Sequence, residues 1–280
     1  MRSMGFFLVM KAEVVRSFIV MRRYWFRTLT GMVIGYGMLM VLIAGFIYSR
    51  PVVENSLNRF EDPAAATNFV LGFIIGMYAF GVVGMFTQGI QGMATTGVLE
   101  QLCMSPHGLI TNFFAQTVVA SVMSILSSSL MVFLVTWSVG GMLHWDTLPV
   151  MILLGLTFFN LIGFGFMVGG LVLVFKQVGQ VAILLRMALF GLAVFAKEEI
   201  LMQPLAFRLI IHALPVTDAA ICLKYVLIKG QMTDGAFMSV FRHECFYWLI
   251  ASCVFWTVAG MSVFKYMENW SRRKGTLGSY

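Results

Sequence analysis

Six long apolar runs, at about 28–48, 68–88, 112–137, 148–175, 178–196 and 246–264, alternate with shorter polar stretches along the chain. Crossing the hydrocarbon core takes about 20 predominantly apolar residues, and each run is close to that length or longer. Backbone polar groups in lipid must be satisfied within their own segment, so the runs are predicted to be helices. The expected fold is an all-α polytopic membrane protein with six transmembrane helices, forming a single transmembrane domain over residues 1–280.

Three stretches depart from this pattern. Within residues 1–27, Phe7, Met10, Val14, Phe18 and Met21 share one helical face among Lys11, Glu13, Arg16, Arg22 and Arg23. Such a basic amphipathic helix lies in the interface plane rather than crossing it. Residues 197–244 hold charges throughout yet stay apolar between them, which predicts two short helices, about 201–213 and 217–228, broken at Leu214-Pro215. These would form a re-entrant hairpin in the outer leaflet, before the last span at 245–265. The third is a polar island from Gly89 to Thr111, where Thr95 or Thr96 is expected to cap a short helix near 91–105 that ends before Pro106.

Composition agrees: 60% of the residues are hydrophobic and 11% charged, which excludes a soluble domain. Lysine and arginine fix the orientation, because basic residues near span ends stay on the cytoplasmic side. They cluster at Arg2 to Arg27, at Lys176 and in the tail at Lys265 to Lys274, so both termini are assigned to the cytosol. The net charge of +7 then reports topology and anionic lipid, with no nucleic-acid partner implied. The basic N-terminal region leads into a full-length span, so no cleavable signal peptide is expected.

Candidate chemistry is sparse. The four histidines and four cysteines lack metal-ligand spacing, the 22 methionines are scattered, and no nucleophile motif is present, so neither an enzyme nor a metal site is expected. Gly31/Gly35, Gly72/Gly76 and Gly165/Gly169 are GxxxG pairs suited to close helix packing or to a dimer interface. Arg186 is the one charge well inside a run; it either faces a wet vestibule that attracts an anionic group or snorkels to the inner headgroups. Phe158, Phe159, Phe164 and Phe166 are candidates to line an apolar pathway, and Glu198 and Glu199 to line its exit.

The element Gly97-Val98-Leu99-Glu100-Gln101-Leu102, followed by Ser105-Pro106, together with Phe175-Lys176 and Leu214-Pro215-Val216-Thr217, resembles the permease subunits of type-2 ABC exporters. The resemblance runs along the whole chain in order. Val98 stands where the family usually has threonine, and Gln91 to Thr95 replace its usual charged residues. The resemblance implies a coupling helix in which Gly97, Leu99, Glu100, Gln101, Leu102, Ser105 and Pro106 engage a separate ATP-binding subunit. Glu100 would accept charge-assisted hydrogen bonds from it. The chain lacks GxxxxGK[ST], so ATP and magnesium would belong to that partner. The implied function is the permease of an ATP-driven exporter in a bacterial-type inner membrane, working with a second permease copy or a related permease. Its cargo would be a lipophilic or amphipathic compound of drug or natural-product type. A lipid-linked glycan exporter and a non-transporting membrane scaffold are the alternatives.

Overall fold

The apolar runs fold as long uninterrupted helices because no proline interrupts their hydrogen-bond ladders beyond the first turn. A computed structural model describes residues 2–48, 63–104, 108–139, 147–175, 179–196, 204–229 and 241–274. Among these, α1 spans Arg2–Arg23, α2 Trp25–Tyr48, α3 Pro63–Thr95, α4 Val98–Met104, α5 Gly108–Val139, α6 Thr147–Phe175, α7 Gly179–Phe195, α8 Leu205–Ala213 and α9 Thr217–Lys224. A π-helical turn, Tyr225–Lys229, extends α9, and α10 spans Glu244–Arg273. The described residues include no strand.

Among the described residues, four helices, α3, α5, α6 and α10, are long and apolar enough to cross a membrane, and α7 contributes a shorter apolar helix over Gln180–Phe195. The 24 residues of α2 extend ~36 Å at the usual helical rise. The molecule is thus an all-helical, multi-pass membrane protein. Its helices coincide with the six apolar runs, although α3 and α10 continue well past them. The acidic or neutral loops around Glu54 to Asp62 and around His144 to Asp146, expected on the side opposite the termini, lie outside the described residues, as do Lys176 and Lys197 to Glu199.

Helix packing follows the small residues. The most extensive pair is α6 with α10, and their main chains touch: a Cβ added at Gly260 would overlap the Gly163 carbonyl oxygen. Lipid offers no hydrophobic drive between helices, so close approach and dispersion do this work. Gly72 and Gly76 admit the α7 backbone at Ala193, Val194 and Phe190, and Gly165 and Gly169 admit Phe86 and Ile90 of α3. There is more room around the Gly31/Gly35 pair: nothing lies within 4 Å of a Cβ at Gly31, and at Gly35 the near atom is the flexible Met131 Cε at 3.4 Å. Polar glue adds to this, with Asn160 Nδ2 donating to Ser252 Oγ at 3.2 Å between α6 and α10. The Tyr36 and Ser138 hydroxyls meet at 2.6 Å between α2 and α5.

In α1 the half-buried positions Val9, Met10, Glu13 and Ser17 recur at helical spacing, and the helix packs against α5 and α2. Phe7, Val14 and Phe18 remain half or more exposed. One local expectation is corrected. Thr95 and Thr96 do not open the short helix; their hydroxyls donate back to the Gly92 carbonyl at 3.1 and 2.8 Å and close α3. Gly97 follows with φ +73° and donates its N–H to the Ala94 carbonyl at 3.2 Å. Glycine takes this left-handed terminating conformation without strain, so the chain turns there and α4 starts afresh.

Candidate functional site

The short helix α4 sits between the ends of α3 and α5 and packs against both. Leu99 is fully buried, and Leu102 and Cys103 are half-buried against the core. Val98, Gln101 and Met104, spaced three apart, point outward, with Met104 85% exposed. One face anchors the helix to the bundle and the other is presented away from it. Glu100 lies on this helix, but its side chain, together with Ser105 and Pro106, is outside the described residues.

Arg186 of α7 is turned inward, toward α3. It is 6% exposed, its Nε donates to the Phe80 carbonyl at 2.9 Å, and the guanidinium lies 3.7 Å from the Phe80 ring centroid. The absent side chain of Gly84 makes the room it occupies. The charge is held by a carbonyl and a ring face and works as a clamp between α7 and α3.

Lys224, which sequence reading treats only as one of the charges between spans, is the more unusual cation. Its Nζ donates to the carbonyls of Ala193, Val194 and Ala196 at 3.0, 3.0 and 2.9 Å. These are terminal carbonyls of α7, which have no partner within their own helix. An ammonium suits the negative end of the helix dipole, so α9 caps α7 from the side.

The turn between α8 and α9 assembles a second polar group. His212 Nδ1 lies 2.6 Å from Asp218 Oδ1, both residues being almost fully buried. Arg208 Nε approaches His212 Nε2 at 3.4 Å, and Arg208 also pairs with Glu244 at the start of α10. The His212 ring stacks on Trp248 with centroids 5.0 Å apart. Trp256, the indole in the middle of the last span, donates to the Ala213 carbonyl at 2.8 Å. The α8–α9 turn is thus fastened to α10 at two levels.

Burial raises the Asp218 carboxyl above its ordinary range, opposed by His212 and His243. The folded state therefore holds this proton more tightly than the unfolded chain does. Its contribution to stability is fully present below the ordinary carboxyl pKa and is lost as pH rises through the raised one. Asp218→Asn keeps an acceptor for His212 and removes that loss. The thermal midpoint of the variant should gain on that of the parent as pH rises from about 4; a difference that stays constant with pH would reject this.

The phenylalanines of α6 are mainly core. Phe166 is fully buried among Phe86, Phe113 and Phe264, and Phe164 meets Trp256 edge-on at 4.9 Å. Phe158 is 8% exposed and Phe159 48%, so of the four only Phe159 has a largely open face. Glu198 and Glu199 lie outside the described residues. An apolar pocket between α3, α5, α6 and α9 contains none of these candidates. Its signal in the sequence was modest: Tyr78, Ser128, Ser129 and Thr157 are hydroxyl residues inside apolar runs.

A bundle of apolar helices, with a small outward-facing helix between two of them and polar groups fastening a hairpin at the other end, defines a multi-pass membrane protein. A family model described as ABC-2 type transporter matches residues 9–228, and the chain belongs to that family. It is the permease component of an ABC exporter, the transmembrane part of a machine that normally works with an ATP-binding subunit. Searches of curated proteins and of solved structures returned no match.

Proposed function

We propose that the chain is one half of the membrane path of an ATP-driven exporter for lipophilic or amphipathic compounds, working as a pair of permeases with two ATP-binding subunits. The observation that carries this reading is α4: a helix seated by Leu99 between α3 and α5, with a free outer face, in a chain of this family. In this reading, α2, α3, α5, α6, α7 and α10 are the six spans. Both termini and α4 are cytosolic, α1 lies in the inner interface, and the membrane is a bacterial-type inner membrane. Gly97 frees α4 from α3, and Glu100, Gln101, Leu102 and the following Ser105-Pro106 form the contact with the ATP-binding subunit, which supplies ATP and magnesium.

At nine and eight residues, α8 and α9 are too short to cross. Trp256 lies twelve residues beyond Glu244 in α10, which is ~18 Å along that helix. Its bond to Ala213 supports a hairpin that dips to this depth and returns. Apolar walls with no charge in the pocket favour lipophilic cargo over a glycan.

The test is a mild-detergent pull-down of the tagged chain from its native membrane, with mass spectrometry of what stays bound. A stoichiometric protein with a phosphate-binding GxxxxGK[ST] loop should be recovered. Glu100→Arg should lower its recovery about tenfold or more, since truncating or reversing a charge-assisted contact costs roughly 2–5 kcal/mol. Unchanged thermal unfolding of that variant confirms that the fold is intact. Recovery of the chain alone, or with partners that are not ATPases, would move the reading to a membrane scaffold.

A further inference from the structure

A pocket with an open mouth lies between α3, α5, α6 and α9. On α3 its lining runs from Leu71 to Tyr78 and on α5 from Ile125 to Val132. Tyr78 is 17 residues from the α4 end of α3 at Thr95, and Ile125 is 17 residues from the α4 end of α5 at Gly108. The pocket therefore begins ~25 Å from α4 and lies wholly in the half of the bundle remote from it.

Two properties define what fits there. The walls are aliphatic, with Ile75, Val132, Leu154 and Leu227 among them, and none of the lining residues carries a charge. Four lining residues carry hydroxyls, Tyr78, Ser128, Ser129 and Thr157; of these Tyr78 is 5% exposed, and its hydroxyl has no hydrogen-bond partner among the described residues. Thr157, also in the wall, has committed its hydroxyl to the Leu153 carbonyl at 2.7 Å. A buried donor left unmade is costly, and ligand pockets typically combine apolar walls with a few polar groups that fix orientation.

We propose that this pocket binds a neutral, largely apolar small molecule through one carbonyl, ester or ether oxygen that accepts the Tyr78 hydroxyl, and that it is the holding site for cargo on the side away from α4. The role as a cargo site rests on the exporter reading; the binding site itself does not. A charged ligand finds no counter-charge in the walls. A bulky polar one would leave its own groups unpaired against the aliphatic side chains.

Benzophenone is a suitable probe, being neutral and apolar, with one carbonyl oxygen and its own photochemistry. Irradiating the purified chain in nanodiscs should give saturable labelling confined to peptides from α3, α5, α6 and α9. Tyr78→Phe should raise the half-saturating concentration about fivefold, the equivalent of one ordinary hydrogen bond, without lowering thermal stability. Leu154→Trp should abolish the labelling by filling the pocket, and Val132→Phe serves the same purpose if the tryptophan variant does not fold. Labelling indifferent to these variants would overturn the proposal. So would a tightly held phospholipid, seen by native mass spectrometry, that benzophenone does not displace. In the complex with a co-purified ATP-binding subunit, the probe should alter ATP hydrolysis in the parent and not in the filled variant. Labelling that follows the variants in a chain that recovers no ATPase would keep the site and remove the cargo role.

Discussion

Gly260→Leu is expected to force α6 and α10 apart and to cost roughly 3 kcal/mol of stability, at the upper end of the range for overpacked sites. The added Cβ alone would overlap the Gly163 carbonyl oxygen. The obstacle is backbone, which cannot swing aside as a side chain would. The helices would have to separate along a pair that also carries the Asn160–Ser252 hydrogen bond. Gly31→Leu is the matched control, because a Cβ there has nothing within 4 Å and leucine is the better helix former. Thermal unfolding in detergent should show a large fall for the first variant and little or no fall for the second. Equal effects would mean that the α6–α10 approach is not as close as described.

Lys224→Met should have an effect of similar size for a different reason. The methionine fills much of the same volume but leaves the Ala193, Val194 and Ala196 carbonyls without their shared donor. Each buried group stripped of its partner costs about 1–3 kcal/mol, so a loss on the order of 3 kcal/mol or more is expected, concentrated at the end of α7. Limited proteolysis should cut first near residues 193–196. Lys224→Arg should be only a partial remedy. Nζ already lies 2.8 Å from the place where a Gly72 Cβ would be, and a planar guanidinium does not replace a compact ammonium in so tight a space. A Lys224→Met protein that unfolds with the parent would show that the cap carries no stability.

The positions of the long helices could be read from the sequence because lipid imposes a length and an internal hydrogen-bond pattern that few other structures satisfy. Leu214-Pro215 likewise marked the break between α8 and α9, since proline cannot continue a helix. Residue roles were harder to read. Lys224 and Asp218 appeared only as charges that interrupt an apolar run, whereas their partners lie on α7 and α8 and are set by how the hairpin folds back. Phe166 and Phe159 are both phenylalanines of one helix, and only the arrangement of α3 and α10 makes the first core and leaves the second exposed. Thr95 and Thr96 are sound helix-capping residues, but they act at the end of α3 because Gly97 provides the left-handed turn.

The continuity of α3 has a mechanical consequence. From Pro63 to Thr95 it forms an unbroken strut ~50 Å long, carrying α4 at one end and a wall of the Tyr78 pocket toward the other. The opposite wall belongs to α6 and α9; α6 is locked to α10 through Gly163 and Gly260, and the α8–α9 turn hangs from α10 through Trp256. In the exporter reading, a load applied at α4 would pass into α3 and α5, against which α4 packs, and would meet the braced block at the seam that contains the pocket.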